Sequence, residues 1–163
     1  MQSTSQSTST AIMASTTKKT PSSLRALDAI LLILLAAQFL IGMLVNLFVQ
    51  VPAVHPGRDA PEYFSGVARG VAWALFNAQW ELLIHVVMGL LLFILSIVLL
   101  VLAIISRRGA WITVSVLGLI GIMAAGFNGA SFMNYGHDFS SLLMAIGFLL
   151  TAISYTIGIS FKH

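Results

Sequence analysis

Glu81 and His85 stand four residues apart in "AQWELLIHVVMGLLLFILSIVLLVLAIISRR" (residues 78–108), and no further titratable group follows before Arg107. On a helix that spacing puts both side chains on one face. A carboxylate there can orient one imidazole nitrogen while the other binds a metal or haem iron. His137, in "NYGHDFSSLLMAIG", is a second imidazole at the mouth of an apolar run, so His85 and His137 are the candidate cofactor ligands. The same residues also support a plainer reading. His85 can hydrogen-bond to Glu81, Asn128 or Ser141 and tie helices together, an interaction worth on average under about 1 kcal/mol in membranes. His137 is then a turn residue ahead of an Asp138 helix cap. A third reading makes Glu81 a proton carrier, although transporter sites sit near the bilayer midplane and Glu81 lies at the end of its apolar run. His55, in a proline-rich stretch, and His163, at the terminus, carry no ligand role on any of these readings.

Other chemistries find no residues. Cys is absent, which removes disulfides, thiolate metal sites, covalent c-type haem and cysteine nucleophiles. No Ser-His-acid arrangement, phosphate-binding loop or HExxH pattern occurs, so a conventional enzyme is not expected.

The elements that position these side chains belong in lipid. Hydrophobic residues make up 58% and charged residues 8% of the chain, against roughly 25% charged in a soluble domain. A span needs about 20 mostly apolar residues, and four stretches qualify, at about 27–50, 81–106, 110–133 and 138–161. Residues 1–23 hold thirteen Ser or Thr, a composition that reads as a disordered cytoplasmic tail ahead of a membrane domain over 24–163. Met13 is an alternative start. Pro52, Pro56, Pro61 and Gly57 exclude helix from the beginning of the 51–80 loop. "YFSGVARGVAWALFNAQW" restores helical spacing and suggests a short helix on the outer surface. Lys18, Lys19, Arg25, Arg107, Arg108 and Lys162 fall on one side of a four-span chain, and Arg58 and Arg69 on the other. That imbalance places both termini in the cytoplasm. It also accounts for the isoelectric point near 9.7 without nucleic acid as a partner.

Small residues mark the third span. Gly121, Ala125 and Gly129 recur every four residues, which lets helix backbones approach in lipid. Glu81, Asn46, Asn128 and Ser141, with His85, form a polar layer confined to the outer half of the spans.

At "HVVMGLLL" and "NYGHDFSSLLMAIG" the chain resembles the small four-helix membrane cytochromes of the b type. The resemblance covers the three later spans. It implies haem b held by His85 and His137, with Gly89, Gly126 and Gly129 clearing room for the ring, and electron transfer as the activity. One haem fits; the two-haem arrangement of the cytochrome b561 group does not.

The expectation is therefore an all-α integral membrane four-helix bundle, N-in and C-in, with a short outer helix between spans one and two, in the plasma membrane. Its expected role is accessory or structural, with the bilayer and a larger membrane complex or a second copy as partners. The b-type haem protein and the Glu81 proton-linked transporter are the alternatives.

Overall fold

The computed structural model describes residues 22–161. The tail expected over 1–23 lies almost wholly outside them, as do Lys18, Lys19, Lys162 and His163. Five helices and no strand occur among the described residues: α1 (Ser22–Phe48), α2 (Tyr63–Asn77), α3 (Trp80–Ile105), α4 (Gly109–Tyr135) and α5 (Asp138–Ile159). Four of them, α1, α3, α4 and α5, are long and apolar enough to cross a membrane. At 22 residues the shortest extends about 33 Å at 1.5 Å per residue, enough for a hydrocarbon core of about 30 Å. The chain is a multi-pass membrane protein by this measure.

Around the bundle the order is α1, α3, α4, α5, with α5 returning to α1; α1 and α4 lie diagonally, as do α3 and α5. First and last spans are therefore neighbours, and Arg25 Nη2 donates to Ile159 O across them at 3.3 Å. The end of the bundle that carries Ser22 and Ile159 is here the terminal end. The opposite, loop end carries residues 49–62 and α2, which rests on α3 and α4.

The apolar core lies between the spans and is built from Leu24, Leu31, Leu35, Leu92, Leu99, Ala103, Trp111, Val114, Ile122 and Tyr155. The outward faces carry Ile, Leu, Val and Phe, as a lipid-facing surface requires. Helix ends follow local chemistry. Glu62 caps α2, its Oε1 and Oε2 accepting from Phe64 N at 2.9 Å and Ser65 N at 2.7 Å. Gly136 ends α4 in the left-handed region at φ 70, a conformation glycine adopts without a Cβ penalty.

The tightest seam joins α4 and α5. A Cβ on Gly121 would stand 2.6 Å from Gly147 O, and one on Gly147 would stand 2.7 Å from Ala125 N. Gly129 meets the sulfur of Met144 at 3.2 Å by the same construction. The Gly121, Ala125 and Gly129 line thus lies against α5. Thr151 Oγ1 reinforces it, its single proton shared between Gly118 O at 3.2 Å and Gly147 O at 3.0 Å.

Candidate functional site

Leu24, Asp28, Leu31 and Leu35 are buried along one face of α1, and Gln38 and Gly42 continue it at the same alternation of three and four. On α3 the inward line is Leu82, His85, Gly89, Leu92, Ser96, Leu99 and Ala103. Such lines are the inward seam of packed helices. Two contacts set the antiparallel register between them: Gly42 faces the His85 ring, and Gly89 faces Gln38 Nε2. Followed along both helices, that register puts Leu35 beside Leu92, Leu31 beside Ser96, and Asp28 beside Leu99.

His85 lies on this seam, one turn into α3. Gln38 Nε2 donates to His85 O at 3.0 Å and lies 3.4 Å from His85 Nε2. The carbonyl fixes the amide with its nitrogen toward the ring, so Nε2 of the imidazole is the acceptor. His85 Nδ1 and Gln38 Oε1 are buried without partners. The partner of His85 is thus Gln38, from the neighbouring span, rather than Glu81, Asn128 or Ser141.

A second cluster occupies the loop end. His55 is buried, with Nδ1 2.9 Å from Pro52 O and Nε2 2.9 Å from Asn134 Oδ1. Asn134 Nδ2 donates to Gly57 O at 3.0 Å, which fixes its amide and leaves the oxygen for His55. Both ring nitrogens therefore face acceptors. A ring protonated on both satisfies the pair, whereas a neutral ring donates to one alone. Trp73 on α2 packs against the His55 ring at a centroid distance of 5.1 Å, tilted by 35°. Gly57, at φ 109, makes the turn, and Gly66 and Gly70 admit Gly57 and Asn134 against α2. Deeper in, Ser131 and Ser140 join α4 to α5 at 3.2 Å.

The third cluster is at the terminal end. Asp28 is fully buried, as is Tyr155, and Asp28 Oδ1, Asp28 Oδ2 and Tyr155 Oη all lack a hydrogen-bond partner. Asp28 Oδ2 faces Gly158 on α5, where a Cβ would lie 2.6 Å away. Ser96 adjoins Tyr155; its hydroxyl donates to Phe93 O at 3.0 Å, which leaves the Ser96 oxygen free to accept from the Tyr155 hydroxyl.

The residues nominated from sequence are scattered by comparison. His137 is exposed at the start of α5 and stacks on Tyr135 at 6.2 Å. Glu81 is half-buried in the first turn of α3. Asn46 is exposed, Ser141 is half-buried, and Asn128 bonds within its own helix to Ala124 O at 2.8 Å. A haem held by His85 and His137 needs both rings turned to one cavity. Here His85 Nε2 faces Gln38, its Cε1 faces Gly42, and His137 turns to Tyr135. The glycines expected to clear the ring do not share a wall: Gly89 faces Gln38, Gly129 faces Met144, and Gly126 opens on empty space. These residues do not fit a haem in this arrangement. No group of three or more His, Cys, Asp or Glu able to hold a metal occurs among the described residues.

No family model, curated protein or solved structure matches this chain.

Proposed function

We propose that this protein is a non-enzymatic, accessory component of a membrane assembly, acting through helix packing and through the polar, capped loop end of its bundle. One observation carries the reading. The polar groups at the loop end are engaged in joining segments of the chain: Gln38 with His85, His55 with Asn134, Asn134 with Gly57, and Ser131 with Ser140. Such bonds fix one arrangement of helices and leave no nucleophile beside a base. The partner on this reading is a larger membrane complex or a second copy, recognised within the bilayer.

The orientation belongs to the same proposal. Arg25, Arg107 and Arg108 cluster at the terminal end, while Arg58 and Arg69 at the loop end are offset by Asp59, Glu62, Glu81 and Asp138. The positive-inside tendency supports termini in the cytoplasm, α2 on the outer side and residence in the plasma membrane. Exposed Phe64, Phe76 and Trp80 suit the headgroup level there.

Two measurements test the accessory role. Native membranes dissolved in mild detergent and resolved by size should carry the chain in a complex of fixed composition, unchanged by His137→Ala or Glu81→Gln. Protein produced with haem supplied should be colourless. Migration as a lone chain at native abundance, or a Soret band lost in both His85→Ala and His137→Ala, would overturn the reading.

A further inference from the structure

Asp28 is the one acid of the described chain sealed inside the bundle, and nothing in the proposed role uses it. Its neighbours come from four helices. Leu24 and Leu31 flank it on α1, Leu99 lies beside it in the α3 register, α4 contributes Val114 near the shared Gly158 contact, and α5 brings Gly158 and Tyr155. Among the described residues, no hydrogen bond from a facing helix reaches it. On its own helix Arg25 lies three residues toward the terminal end, with Nη2 given to Ile159 O. Both carboxyl oxygens lack a donor.

An ionised carboxylate enclosed this way would forfeit its hydration without recovering any hydrogen bond, and buried groups so placed neutralise instead. The way to neutralise is set by space. Gly158 is close enough that a Cβ would stand 2.6 Å from Oδ2, and Leu24, Leu31, Leu99 and Tyr155 are fully enclosed around it. A metal cation needs a shell of oxygens and room for itself, whereas a proton needs neither. Ionisable side chains inside membrane proteins are costly and mark functional sites by default.

We infer that Asp28 is a proton-binding site built into the bundle, held uncharged where α1 rests on α5.

The test uses the full chain in lipid nanodiscs, with aspartate labelled by carbon-13 at its side-chain carboxyl. The sequence holds three aspartates, Asp28, Asp59 and Asp138, and the last two are exposed. At neutral pH one signal should stand at the carboxylic-acid position and vanish in Asp28→Asn. Its cross-peak to the Gly158 Cα assigns it in the wild type, so the result does not depend on the variant assembling. An Asp28 signal at the carboxylate position at neutral pH would overturn the inference. So would a signal that shifts with added sodium or potassium at fixed pH, which would make the site a cation site.

Discussion

Gly42 on α1 lies against the imidazole of His85 on α3, so closely that a Cβ there would stand 2.9 Å from Cε1. The pair sets the register of the α1–α3 seam, and Gln38 one turn away completes it by bonding the His85 carbonyl at 3.0 Å.

Gly42→Val should therefore displace the His85 ring and break the Gln38 contact. Overpacking of this kind costs about 1–3 kcal/mol, read as a lower thermal midpoint in detergent. His85→Ala in the same chain should restore part of the loss, because it removes the group that is struck. Additive effects of the two substitutions would show that they do not meet.

Asn134→Leu removes the acceptor for His55 and the donor for Gly57 O together. Leaving such buried groups unpaired costs about 1–3 kcal/mol each. Amide exchange should accelerate over residues 52–60 while the α1–α3 seam stays protected. Uniform loss of protection across the molecule would instead make Asn134 a general core residue.

His55→Phe keeps a ring against Trp73 but removes both nitrogen contacts, to Pro52 O and to Asn134 Oδ1. Amide exchange should accelerate over residues 52–60 in this variant, as in Asn134→Leu. Unchanged protection there would show that the imidazole does not hold the loop.

Two glycines of α4 separate packing from composition. Gly121→Leu intrudes on Gly147 O and Thr151 of α5 and should block assembly of the α4–α5 pair. Gly126→Ala meets nothing within 4 Å and should be neutral or mildly stabilising, since alanine is favoured over glycine in helices by up to about 1 kcal/mol. Equal damage from both would mean that α4 presents a different face to α5.

Much of this architecture was legible in the sequence, because lipid imposes one solution on the backbone and about 20 apolar residues announce it. Pro52, Pro56 and Pro61 marked the irregular segment for a similar reason, as each lacks a backbone donor. Gly121 and Ala125 signalled close packing, though not that α5 would be the helix they meet. What a helix faces depends on its neighbours, and spacing within one span does not encode it. Gln38 and His85 are 47 positions apart, and His55 and Asn134 are 79, so neither pair follows from local pattern. Glu81 attracted notice by its place beside His85 and turned out to lie apart from its bonds. Asp28 stands at the edge of the apolar run, where charges usually flank a span, so composition alone does not separate it from a flanking charge. Its spacing from Leu24, Leu31 and Leu35 was the available signal that it turns inward.

The closed ring of spans, with α1 beside α5, has a consequence for synthesis. A ribosome delivers α1 to the bilayer before α5, so the ring cannot shut until α5 has been made. Until then α1 holds α3 alone, and Asp28 waits on a face that lipid or a chaperone must cover. A chain truncated before α5 therefore leaves Asp28 without the Gly158 face that covers it.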